Sequence, residues 1–238
     1  MTAAFLSGLT CLAGQVAWTR LATLLIGSTT YAFSTVLLVF LLSLAAGSAW
    51  ASRRRDEGAR ETRNALAVLN VLAAAGLVAA VAAVNLWPAG YWALFDTARP
   101  VSLAGIVTLN AMAGRALLVL PLLMAGAIFP LALRSLTHSG EEGAGRAVGL
   151  LCAINTIGAI LGATLGGFVL VPSIGSQGTL MASAAVSALF AVVCLAPDWN
   201  RRLAWVVCTG AGIIGAGLLA TPGWDVKLLN AAIYEPQQ

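Results

Sequence analysis

Two arginines stand inside long apolar runs: Arg20 in "TCLAGQVAWTRLATLLI" and Arg115 in "LAGIVTLNAMAGRALLVLPLL". Gln15, Asn70, Asn110 and Asn155 add uncharged hydrogen-bonding groups to the same kind of surroundings. Charged groups at such depth are expensive and face a bundle interior, a cavity or an interface. Arg20, near the end of its run, reads either as a snorkelling side chain or as a counter-charge. Arg115 is deeper, which points to a buried partner or an anionic ligand. Arg20, Arg115, Gln15, Asn110 and Asn155 together are the candidate polar site.

The missing groups narrow the chemistry further. The nine Asp and Glu residues all fall outside the apolar runs. A cation path needs carboxylates or aromatic faces to offset desolvation, and proton-coupled transport commonly uses buried Asp, Glu or His relays. A cation pump is therefore a poor match. Cys11, Cys152, Cys194 and Cys208 form no C-x-x-C pair and read as small core residues. His138 has no neighbouring cysteine, so no metal site is expected. The stretch "GAGIIGAG" lies within an apolar run without a preceding strand, so it is no dinucleotide fingerprint. No catalytic constellation and no cofactor are expected.

These residues need elements to hold them. Of 238 residues, 60% are hydrophobic and 9% charged, and the mean hydropathy is +0.91. Soluble domains carry about 25% charged residues, so the composition points to a membrane. The apolar runs are too long for barrel strands of about ten residues. The expected fold is all-α, a polytopic transporter-like bundle of about seven transmembrane helices. The spans fall near 3–26, 31–52, 65–86, 103–133, 147–171, 179–195 and 203–220. Residues 1–221 form the membrane domain, and 222–238 a polar tail or linker.

The loop "RRRDEGARETR" carries five arginines, and Arg134, Arg146, Arg201 and Arg202 flank the next alternate connections. The intervening connections "GSTT", "PAGYWALFDTARPVS" and "PSIGSQG" hold one. The positive-inside rule then places the N-terminus in the cytoplasm and the tail in the periplasm. The net charge of +4 reflects these loops, so no nucleic-acid partner is expected. Trp87, Tyr91, Trp92 and Phe95 fit a headgroup-level belt on the outer face, with a ligand-stacking loop as the alternative.

One segment, "GLLCAINTIGAILGATLGGFVLVP", interrupts itself with glycine. Each interior glycine costs a helix roughly 1 kcal/mol against alanine. Gly158, Gly162 and Gly166 recur every fourth residue and share one helix face, which Ala159, Ala163 and Gly167 widen. This glycine-zipper pattern implies close helix approach.

Four stretches together resemble the membrane domain of fused transporter-like/spermidine synthase-like bacterial proteins. They are "SGLTCLAGQVAWTRLATLLIGSTTYAFSTVLLVFLLSLAAGS", "LPLLMAGAIFPLALR", "GRAVGLLCAINTIGAILGATLGGFVLVPSIG" and "GWDVKLLNAAIYEP". The second is similar to that family's P-x-x-x-M-G-x-x-F-P segment, with Ala125 before the glycine. The third carries its Asn-Thr-x-Gly turn, and the fourth its Trp-Asp linker. The resemblance implies a bacterial inner-membrane module attached to a domain with an S-adenosylmethionine-type fold. The sequence stops at the linker, so no catalytic residue carries over.

The expected role is a non-catalytic anchor or accessory subunit, with the lipid bilayer and membrane-protein subunits as partners. The alternatives are a carrier of an anionic or amphiphilic substrate, and the membrane fragment of a spermidine synthase-like transferase. An anionic lipid or small molecule is the expected ligand class for the arginines.

Overall fold

A computed structural model describes residues 1–26, 30–54, 58–84, 119–134, 144–195 and 201–224. Among them every regular element is helical: α1 (Thr2–Ile26), α2 (Thr30–Ser52), α3 (Ala59–Val84), α4 (Val119–Arg134), α5 (Ala144–Leu165), α6 (Val171–Leu195) and α7 (Arg201–Ala220). The described residues are all-α. Two helical stretches are long and apolar enough to cross a membrane, Ala59–Val84 with 26 residues and Gly145–Cys194 with 50. Val36–Ser52, Val119–Arg134 and Ala204–Gly217 are apolar but shorter.

The 50-residue stretch is two helices, not one. After α5 the chain makes a π-turn over Gly166–Leu170, with the Val171 N–H donating to the Gly166 carbonyl. The helical path then breaks at Gly175, whose φ of 74° and ψ of 174° belong to a region essentially restricted to glycine. On the near side of the break, Gly158, Gly162 and Gly166 face Phe5, Leu9 and Ala13 in turn, so α5 runs parallel to α1. Beyond it, Leu180 clusters with Trp18 and Leu21, while Ser183 and Ser187 line a cavity with Thr10 and Gly14. The chain has therefore turned back, and α6 runs antiparallel to α1.

The same tracing orders the rest. Ala51 packs with Leu66 and Leu69, while Val36 and Phe40 pack with Ala80 and Val84, so α2 and α3 are antiparallel. Gly76 lies against Pro121, and Leu131 sits beside Leu66, which runs α4 against α3. Val207 meets Ala67 and Ile214 meets Ala74, so α7 is parallel to α3. Successive helical runs thus alternate in direction. The largest core cluster joins Trp18, Leu21, Phe40, Val81 and Leu180 from four helices.

The boundaries differ from the sequence reading in two places. Helix α3 begins at Ala59, not near 65, which brings Arg60, Glu61 and Arg63 into the helix; Glu61 in the first turn suits the positive end of the helix dipole. The expected loop 172–178 is largely helical, because a π-turn and one glycine reverse the chain without a long connection. Of the span expected at 103–133, residues 103–118 lie outside the described residues.

Gly175 and Gly149 both have open space where a Cβ would stand, but only Gly175 has positive φ. Gly175→Ala should therefore destabilise the fold by about 1–3 kcal/mol through backbone strain alone. Gly149→Ala should be neutral or stabilising by up to about 1 kcal/mol. Thermal melting of the two variants in detergent checks this, and equal melting would place the reversal elsewhere.

Candidate packing seam and cavity

The seam between α1 and α5 is built without side chains on one side. A Cβ added at Gly158 or Gly162 would overlap the carbonyl oxygen of Phe5 or Leu9. At Gly166 it would lie 3.0 Å from the Ala13 Cα. The contact is reciprocal, because a Cβ on Gly8 would stand 2.9 Å from the Ala159 nitrogen and 3.0 Å from Asn155 Oδ1. Gly167 differs from its neighbours: its nearest atom is Val16 Cγ1 at 3.8 Å, an ordinary contact. One residue on from Gly166 the helix has turned by about 100°, which takes Gly167 off the seam.

A second close approach joins α2 and α4. A Cβ on Gly47 would overlap the Leu123 carbonyl, and one on Gly126 would overlap that of Leu44. Sequence reasoning passed over this contact. Its signal is the four-residue spacing of Ser43, Gly47 and Ala51, all of them buried.

Between α1, α3, α4 and α6 lies a cavity of about 50 Å³. Thr10, Cys11, Gly14, Trp18, Pro121, Ser183 and Ser187 are among the residues around it. Thr179, Ser183 and Ser187 are spaced by four on α6. The first two hydroxyls donate to the carbonyls one turn earlier, Thr179 to Gly175 at 2.8 Å and Ser183 to Thr179 at 3.0 Å. Thr10 Oγ1 likewise donates to the Leu6 carbonyl at 2.7 Å. This hydroxyl column is visible in "TLMASAAVS" but was not singled out from sequence. The cavity has room for a few water molecules.

Of the expected polar site, the described residues Arg20, Gln15 and Asn155 stand at different levels along the bundle. Arg20 is exposed on the outer surface of α1, and its carbonyl accepts a hydrogen bond from Thr23 at 2.7 Å. Gln15 is half-buried, five residues or about 7.5 Å of helix rise from Arg20. Asn155 sits near Gly8 at the seam, a further seven residues from Gln15 along α1. Arg115 and Asn110 lie outside the described residues. Asn70 is buried and donates to the Leu66 carbonyl at 2.8 Å.

The cysteines divide rather than all joining the core. Cys11 lines the cavity and Cys194 is half-buried, whereas Cys152 and Cys208 are exposed. Helical periodicity accounts for Cys152: its neighbour Leu151 is fully buried, and one residue further on the helix has turned by about 100° toward the outside. Among the described residues no group of three His, Cys, Asp or Glu could hold a metal ion.

At the end of the bundle away from the arginines, the segment after α7 is stapled back. Gln177 Nε2 donates to the Pro222 carbonyl at 2.8 Å, and the Trp224 N–H donates to Gln177 Oε1 at 2.7 Å. Trp224 Nε1 also donates to the Val81 carbonyl at 3.1 Å. One glutamine just past the reversal therefore fixes the exit of the chain.

No protein-family model, curated protein or solved structure matches the chain closely enough to assign a family.

At the seam, Gly162→Ala should cost about 1–3 kcal/mol by overpacking against Leu9. Gly14→Ala, which faces the cavity with nothing within 4 Å, should be neutral or gain up to about 1 kcal/mol. If the two variants melt alike in detergent, the seam is looser than described.

Proposed function

We propose that this chain is a non-catalytic membrane module, a seven-span helical bundle that anchors the segment following Trp224 and docks against other membrane proteins. The observation carrying this reading is how charge and apolar surface divide along the bundle. Among the described residues every arginine except Arg20 lies at one end, around the termini of α2 to α7 that meet there. Between the ends, Leu38, Leu41, Ile157, Ile160, Phe168, Leu189, Trp205 and Ile213 are exposed on the outer faces. An apolar surface spread over several helices is a liability in water and suits lipid. The arginine-rich end suits the cytoplasmic face.

The glycine strip of α5 is filled by α1 of the same chain, so a partner subunit would need another surface. The outer face of α7 presents Cys208, Gly212 and Ala216 at four-residue spacing, all exposed. Small residues there leave close approach open. The carrier reading rests on Arg115, outside the described residues, and the cavity is small for an organic substrate. The transferase-fragment reading meets a different difficulty. With the arginine end in the cytoplasm, the stapled segment leaves on the opposite side, away from a cytoplasmic supply of S-adenosylmethionine.

Single-cysteine labelling tests the topology on a background lacking the four native cysteines. A cysteine at Arg53 should react with a membrane-impermeant reagent only after the membrane is opened, and one at Pro222 should react in intact cells. Labelling of both from the same side would overturn the odd number of crossings. For docking, Gly212→Leu should remove co-purifying subunits without lowering the melting temperature. Subunits retained in that variant would rule out this face.

A further inference from the structure

Near the arginine end, α2, α3 and α4 enclose an open lateral groove of about 450 Å³ whose lining changes character along its length. Its mouth holds Trp50, Arg54, Glu61 and Asn64, and its deeper part is walled by Val68, Leu72 and Met124. Glu61, Val68 and Leu72 are seven and four residues apart, so they follow one face of α3. From Glu61 to Leu72 the helix rises about 16 Å, close to half of a hydrocarbon core of about 30 Å. The groove therefore runs from polar to apolar over roughly the depth of one leaflet.

We infer that this groove binds one anionic phospholipid of the arginine-side leaflet, with an acyl chain along Val68, Leu72 and Met124 and the phosphate at Arg54. The inference rests on the membrane reading above. Charge and geometry favour this occupant over a neutral one. Arg54 lies 5.0 Å over the Trp50 ring, which holds its planar fork at the mouth. A guanidinium can meet two phosphate oxygens at once. Arg53 and Arg60, both exposed, add positive potential beside it. Glu61 and Asn64 accept hydrogen bonds from headgroup hydroxyls, which selects a singly charged, hydroxylated headgroup such as phosphatidylglycerol. A second negative charge would be repelled by Glu61. Trp50, 45% exposed at the groove, matches the preference of tryptophan for headgroup depth.

The test uses the full chain, purified in detergent and delipidated. Retention of phosphatidylglycerol, phosphatidylcholine and phosphatidylethanolamine is compared by native mass spectrometry. The expected result is one phosphatidylglycerol retained at least fivefold over either competitor. Arg54→Gln should remove that preference, as should Val68→Trp, which fills the apolar wall. Arg146→Gln, an exposed arginine at the same end but outside the groove, should behave like the parent. Should Val68→Trp fail to fold, the exposed Arg54→Gln variant decides. Equal retention of the three lipids, preference for phosphatidylethanolamine, or an unchanged preference in Arg54→Gln would each overturn the site. Alkaline extraction of membranes bearing the parent separates the two failures. A chain that resists extraction yet shows no preference sinks this inference alone, whereas an extractable chain sinks the membrane reading with it.

Discussion

Between α1 and α5 two helix backbones meet with almost nothing between them, and the placement of the other helices follows from that contact. At Gly158 and Gly162 the hydrogen that stands in for Cβ points at the carbonyl oxygen of Phe5 or Leu9. Weak contacts of this kind contribute about 0.5–1 kcal/mol each. Dispersion between closely approaching backbones adds to them, and together these terms offset a helix cost of about 1 kcal/mol per glycine. Side chains alone would hold the axes farther apart.

The reversal at Gly175 converts this local contact into tertiary order. Because α5 is fixed against α1, the turn-back must deliver α6 alongside the same helix, into the groove between α1 and α3. There Leu180 enters the main core, and Ala184 and Ala188 meet Ala74. Small alanines at these crossings keep α3 and α6 close, and α7 then lies on the outside of that pair. The staple through Gln177 and Trp224 ties the exit of α7 to the reversal itself. Two distant parts of the chain thus share one hydrogen-bonded residue. At the other end, Arg134 donates to the Arg54 and Ser52 carbonyls at 2.8 and 2.6 Å. A cation there satisfies carbonyls at the negative end of the α2 dipole.

Helical class and most helix positions were legible in the sequence because apolar run length and arginine placement are local signals. The ends of α1 and α2 lie within a residue of where composition changes. The start of α3 was misplaced because Arg60, Glu61 and Arg63 read as loop, although charged residues are good formers of a first helical turn. The four-residue glycine spacing marks a smooth face of α5, but not which helix covers it. That choice depends on a pairing some 150 residues apart, which no local pattern encodes. The seam at Gly47 and Gly126 was hidden for a related reason: the spacing of Ser43, Gly47 and Ala51 marks a smooth face of α2 but not that α4 covers it. Among the described polar residues, Arg20, Gln15 and Asn155 share a chemical character but not a level along the bundle.

The alternation of helix direction gives the charge pattern its functional weight. Helices α2, α4 and α6 end where the described arginines gather, and α3, α5 and α7 start there. Among the described residues, the alternating helices leave the start of α1 and the Trp224 staple at opposite ends. If the arginines hold one end in the cytoplasm, whatever follows the staple is carried on the far side of the bilayer. An anchor tolerates that placement, because its task is to hold a position. A transferase dependent on a cytoplasmic cofactor does not. The same asymmetry separates the groove from the staple, since the groove opens at the arginine end and the staple closes the other. Lipid bound in the groove would brace α2 and α3 where they enter the membrane, about a bilayer's thickness from the segment that the staple holds. On the anchor reading proposed above, the two ends would carry separable tasks, electrostatic seating at one and presentation of the chain at the other.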